Sequence, residues 1–165
     1  MSKLITTTQT IGPFPHEGWR WAFESASAAG EIIIHGQVLD GDGQPISDAI
    51  LEAWQPGANG GPIAGLPGLY RVPSGDEGEF RFALPRPTAH GAPALYVTLF
   101  ARGLLKHQFT AVFLADDPQL AQSPLLSQVP SERRATLIAQ AAGPGAYHWN
   151  VRLQGPQETV FFDYE

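Results

Sequence analysis

The stretch GQVLDGDGQPISDAILEAWQPGANG, residues 36–60, decides how the rest of the chain is read. Asp40-Gly41-Asp42-Gly43 is a dense turn signal, and Pro45 keeps the residues after it extended. Residues 48–54 then alternate: Ile50, Glu52 and Trp54 on one side, Ala49, Leu51 and Ala53 on the other. The pattern predicts a strand over 32–39, a tight turn, and a second strand over 48–54 as its hairpin partner. A carboxylate and a glutamine flank a large aromatic at the end of that strand, Glu52-Ala53-Trp54-Gln55, which is unusual for a purely structural hairpin.

Working outward, short alternating runs recur between turn signals. Residues 70–72 and 79–84 are separated by Ser74-Gly75-Asp76-Glu77-Gly78, with Phe80, Phe82 and Leu84 on one face and Arg81 on the other. Residues 95–103 (LYVTLFARG) are apolar on both faces, as a central strand buried from both sides would be. Residues 107–114 and 147–153 alternate as well, the latter with Tyr147, Trp149, Val151 and Leu153 inward, and a last strand is expected over 158–163. Two helices are expected, a short one within 16–29 and one from a Ser131 cap through Ala141. The amino-terminal TTTQTIGPFP, residues 6–15, holds two prolines and a glycine and reads as an extended arm. The sum is an all-β chain, a β-sandwich of about eight strands with one or two short helices. One domain over 1–165 is expected, with the arm covering about residues 1–30.

Composition narrows the functional classes. Glycine (18) and proline (15) are abundant, as many strand-joining turns require. A net charge of −6 supplies no basic stripe for phosphates, which argues against nucleic acid. The absence of cysteine removes disulfides, thiolate metal sites and a cysteine nucleophile together. No apolar run approaches the ~20 residues of a membrane helix, and MSKLITTTQT lacks the apolar core of a secretory signal. A soluble cytoplasmic protein without membrane contact is the expectation.

Taken together, Gly36, Val38, Asp40, Gly43, Pro45, Glu52, Trp54 and Gln55 resemble the pattern of the intradiol dioxygenases, enzymes that open aromatic rings. Thr10-x-Gly12-Pro13-Phe14, LFARG at 99–103, Arg133-Arg134-x-Thr-Leu-Ile-Ala and Glu158-Thr-Val-Phe-Phe-Asp163 extend the resemblance over most of the chain. In the iron-bearing members Fe(III), a hard Lewis acid, is held by two tyrosinates and two histidines, the histidines one residue apart on a strand. The resemblance puts the histidine pair where Pro93-Ala94-Leu95-Tyr96 stands here, and the tyrosines where Asn59-Gly60-Gly61-Pro62 and Pro85-Arg86-Pro87-Thr88 stand. All four ligands are missing. Histidines 16, 35, 90, 107 and 148 are scattered without metal-ligand spacing, and Tyr70 and Tyr96 read as core or rim residues.

The resemblance therefore implies the iron-free subunit of a two-subunit intradiol enzyme. Its Fe(III) would be bound by a homologous β chain and not by this one. Thr10, Gly12 and Pro13 would wall the substrate mouth at the junction of the two chains. Arg102 would face the ring carboxylate of 3,4-dihydroxybenzoate, which a guanidinium can grip through its fork. No catalytic group or metal ligand is assigned to this chain, and Glu52, Trp54 and Gln55 are assigned to packing and to pairing with the partner. Two other readings stand beside this one. A stand-alone transthyretin-like β-sandwich binding module would leave Thr10-x-Gly-Pro and LFARG unexplained. An iron enzyme in its own right would show a tyrosinate-to-iron absorption band from the isolated chain.

Overall fold

A computed structural model describes residues 23, 30–59, 63 and 65–163. Its strands are β1 (Ile32–Leu39), β2 (Ile50–Trp54), β3 (Leu69–Pro73), β4 (Glu79–Leu84), β5 (Leu95–Phe100), β6 (Gln108–Leu114), β7 (Ile138–Ala141), β8 (Ala146–His148) and β9 (Val151–Arg152). They pair in the order β3-β2-β5-β6-β7-β8-β1-β4, with β9 beside β1. Most pairings are antiparallel. The exceptions, β6 with β7 and β1 with β8 and β9, are parallel. The path folds into two halves that share one core: Ile34, Val38, Phe82 and Trp149 from one, Leu51, Val97, Leu99 and Val112 from the other. This is an all-β sandwich.

Alternation dictates the faces. In β1, Ile32, Ile34 and Val38 are buried, and Gly36 falls on the same inward row. Only glycine fits there, because a Cβ would lie 1.7 Å from the Trp149 carbonyl oxygen. The turn at 40–45 forms as expected: Asp40 Oδ1 accepts from the amides of Asp42 and Gln44, and Leu39 bridges to Pro45. Each fully buried Leu, Ile or Phe contributes roughly 1.5–3 kcal/mol of burial free energy against the ordering entropy. A second, smaller cluster lies around Ala111 and Phe113 of β6, packed with Leu126, Val129 and Leu137, so β6 is covered on both sides.

Four expectations are corrected. The strand after the turn is not the partner of β1; β2 pairs with β3 and β5 in the other half. Its Leu51 and Ala53 thereby join the shared core, while the turn closes only as far as Pro45. The helix expected through Ala141 does not form. Arg134–Leu137 is a 3-10 turn and Ile138–Ala141 is strand β7, because pairing of Ile138 and Ala139 with Phe113 and Leu114 overrides local helix preference. Ser131 hydroxyl donates to Glu132 instead of capping. Residues 158–163 form no strand, and are held by Thr159 N to Arg152 O and Phe162 N to Phe109 O. Residues 95–103 are buried on one face only: Leu95, Val97 and Leu99 point into the core, and Tyr96, Thr98 and Phe100 are half-buried. The expected helix within 16–29 lies, apart from Phe23, outside the described residues. The one α-helix among the described residues is the single turn Pro124–Ser127, capped by Ser123; none is long and apolar enough to cross a membrane.

Candidate functional site

Arg102 stands on a tight turn at the end of β5. Leu104 N donates to Ala101 O, and Gly103 at the third position has φ +90°, a value that favours glycine. The turn is anchored by Ala101, which is buried. Alignment of Ile50 with Phe100 brings the start of β2 to the same end of the sandwich. Here Asp48 Oδ2 lies 3.1 Å from Arg102 Nε, with the Asp48 side chain only 10% exposed and that of Arg102 60% exposed. Asp48 is fixed in turn by its neighbour: Ala49 N donates to Ser74 Oγ at 2.9 Å, and Ser74 N donates to Ala49 O at 2.9 Å. A cation is thus presented to solvent on a stiff turn, with an acid beneath it. Thr10, Gly12 and Pro13, the other expected pocket residues, lie outside the described residues.

The opposite end of β5 is the place that the resemblance gives to iron ligands. The residues there do not fit a ferric ion. Ala94 and Leu95 offer no donor and are buried in the core. Beside them a cavity of about 50 Å³ is lined by Arg86, His90, Ala94, Asp116 and Asp117, with His90 Nδ1 3.3 Å from Asp117 Oδ1. Tyr147, from β8, reaches this region, but its hydroxyl donates to Asp116 Oδ2 at 2.7 Å and accepts from Arg86 Nη2 at 2.7 Å. Burial, and then the bond to Asp116, push the Tyr147 phenol up, away from the phenolate a ferric ion needs. The bond from Tyr147, and then the charge of Arg86, hold the Asp116 carboxyl below its ordinary range, and the hydrogen bond with Tyr147 raises Arg86. A fixed guanidinium at this spot would repel a metal cation. Among the described residues no three His, Cys, Asp or Glu side chains gather into a metal-binding group. His35 and His148 do meet across β1 and β8, ring centres 5.4 Å apart, a pairing invisible in sequence.

The strand-end residues of β2 divide. Gln55 is buried and turned inward, with Nε2 donating to Pro85 O and Oε1 accepting from Tyr70, whose phenol is raised by burial. Glu52 pairs with Arg71 of β3. Both serve this chain's own packing, as expected. Trp54 is 49% exposed and stacks on Tyr96, which stacks on Phe109.

No family model matches the chain. A curated relative does: the protocatechuate 3,4-dioxygenase alpha chain of Burkholderia cepacia is 38% identical, with 96% of each chain covered. The chain belongs to the protocatechuate 3,4-dioxygenase alpha-chain family. Likeness extends to the protocatechuate 3,4-dioxygenase beta chain of the same organism, 25% identical over 80% of this chain and 65% of that one. Among solved structures, the dioxygenase domain of a dioxygenase carbohydrate-binding protein fusion from Streptomyces sp. SirexAA-E matches with a TM-score of 0.59 at 18% identity, covering 79% of this chain and 84% of that one. That match concerns the fold alone. Protocatechuate 3,4-dioxygenases are non-heme iron enzymes, and among the described residues of this chain no metal-binding group is found.

Asp48 was not legible as a site residue, since 54 positions separate it from Arg102 and nothing local in the sequence marks the pair. Nor were Asp116 and Tyr147, which meet only through the closing of the two halves.

Proposed function

We propose that this chain is the iron-free alpha subunit of a protocatechuate 3,4-dioxygenase. It pairs in the cytoplasm with a homologous beta chain that holds the Fe(III), and walls part of the pocket in which 3,4-dihydroxybenzoate is cleaved. The reaction adds both atoms of O2 across the bond between the two hydroxyl-bearing carbons, giving 3-carboxy-cis,cis-muconate. The iron supplies the redox chemistry. This chain supplies shape and charge: Arg102 grips the ring carboxylate through its fork, and Thr10, Gly12 and Pro13 close the mouth beside it. A fixed carboxylate orients the ring, so that the reacting carbons meet the partner's centre in one pose.

The observation that carries this reading is Arg102, a solvent-facing cation on a glycine-dependent turn, at the far end of β5 from the donor-poor region. A pocket that needs its cation and its metal in one place then needs a second chain. The alignment over 96% of an alpha chain supports the same assignment. A stand-alone binding module has no feature that favours it.

Co-expression with a protocatechuate 3,4-dioxygenase beta chain tests the pairing. A red, active, stoichiometric complex is expected; a colourless chain that recruits no partner would refute it. Within that complex, Arg102→Ala is expected to raise KM for 3,4-dihydroxybenzoate about 10- to 100-fold, the size of a lost charge-assisted pair. The iron absorption band should stay unchanged. An unaltered KM would remove Arg102 from the pocket.

A further inference from the structure

We infer that Asp48 is a positioning residue for substrate recognition, fixing the guanidinium of Arg102 so that its fork meets the substrate carboxylate in one orientation. The inference rests on the reading of Arg102 given above and adds a residue to it.

Asp48 is buried, and among the described residues its Oδ2 has no hydrogen-bond partner. A carboxylate oxygen taken out of water without a hydrogen bond is expensive, and an uncharged side chain of the same size would spare the fold that expense. What Asp48 does possess is the charge contact with Arg102 Nε at 3.1 Å. Nε sits at the root of the guanidinium, and a restraint there limits rotation of the whole planar group. The side chain bearing it is still 60% exposed, so the contact holds the arginine without burying it.

The support under Asp48 is also rigid. Ser74, itself buried, holds both the amide and the carbonyl of Ala49, and β2 begins at the next residue. Arg102 for its part stands between the buried Ala101 and the positive-φ Gly103. Acid and base are therefore both mounted on fixed backbone at one end of the sandwich. An arginine on a flexible stem spends rotamer entropy each time it grips a ligand, whereas one restrained at Nε has lost part of it already. The same arrangement discriminates: a ring lacking the carboxylate draws nothing from it.

The test uses the αβ complex. Asp48→Asn keeps the shape and removes the charge. KM for 3,4-dihydroxybenzoate is expected to rise about fivefold to tenfold, as modest misplacement of a binding group does, with kcat within about twofold. Binding of catechol, the same ring without the carboxylate, is expected to be unchanged. Combined with Arg102→Ala, Asp48→Asn is expected to add nothing, since it acts only through that arginine. If Asp48→Asn does not assemble, Asp48→Glu shifts the charge by one methylene, and the same selective loss is expected from it. A wild-type KM in the assembled variant, equal losses on both ligands, or additivity with Arg102→Ala would overturn the inference. A wild-type KM for Arg102→Ala alone would instead remove the reading beneath it, and the inference with it.

Discussion

Replacing Tyr147 by phenylalanine deletes one oxygen and leaves the buried ring where it is, so the variant isolates the polar contribution of the cluster at the donor-poor end. That oxygen makes two bonds of 2.7 Å, one donated to Asp116 and one accepted from Arg86. Hydrogen bonds to charged groups are worth about 1.5–3 kcal/mol. Both charged partners are about half exposed, and Arg86 Nη1 still lies 3.3 Å from Asp116 Oδ2 without the hydroxyl. Water and that contact recover part of the loss, which discounts it to about 1–1.5 kcal/mol. For a chain of this length that is a fall in Tm of roughly 2–6 °C. The pH dependence gives a sharper signature. Asp116 is held below its ordinary 3.8, first by the Tyr147 hydrogen bond and then by Arg86. Its contribution is therefore present above that value and lost as the pH falls through the lower folded value. Tyr147 is raised above its ordinary 10.0, mainly by burial, so its contribution is present below 10.0 and lost as the pH rises through the higher folded value. The stability gap between the wild type and the variant should be widest near neutrality and close at both extremes. Urea unfolding at fixed protein concentration, at pH 3, 7 and 10.5, measures it. A gap that widens in acid, or a loss above about 3 kcal/mol at pH 7, would refute the reasoning.

Gly36→Ala should be far more damaging, since its new Cβ would meet the Trp149 carbonyl at 1.7 Å; a loss beyond about 3 kcal/mol is expected. Circular dichroism and thermal melting check it, and a near-normal melt would mean that β1 can shift away from the Trp149 carbonyl. Thr110→Val removes the bond from Oγ1 to the Val160 carbonyl at 2.7 Å, costing about 1–2 kcal/mol and loosening residues 158–163. Faster hydrogen exchange at the Phe162 amide is the expected readout, and an unchanged rate would show that the segment is held by its other contacts.

The alternating rows of β4 and β8 were legible because each has one face in the core, and burial imposes its period directly on the residues; β5 was misread as buried on both faces because its half-exposed face carries Tyr96 and Phe100. The partner of β2 was not. A tight turn at 40–45 announces a hairpin, but whether the chain returns beside β1 or crosses to the other half depends on which face must be covered. That is a property of the assembled core. Strand β7 failed for a related reason: an Ala- and Arg-rich segment with an acid near its start reads as a helix, until β6 offers a parallel edge. At the candidate site, Arg102 was visible at the end of an apolar strand with a glycine behind it. Asp48 was hidden because its meaning comes from register, in the alignment of Ile50 with Phe100.

The pairing of β1 with β8 and β9 joins the beginning of the sandwich to its end. Gln37 N donates to Asn150 Oδ1 across 113 residues of chain. A ribosome making this protein releases β1 early, with only β4 available to it, and one strand edge then waits until nearly the whole polypeptide has emerged. Such distant contacts close slowly, and an unpaired edge in the meantime is open to other nascent chains. Loss of the last strands, by truncation or by stalled synthesis, would leave that edge permanently open. Chaperone capture of carboxy-terminally shortened chains is the cellular consequence to expect.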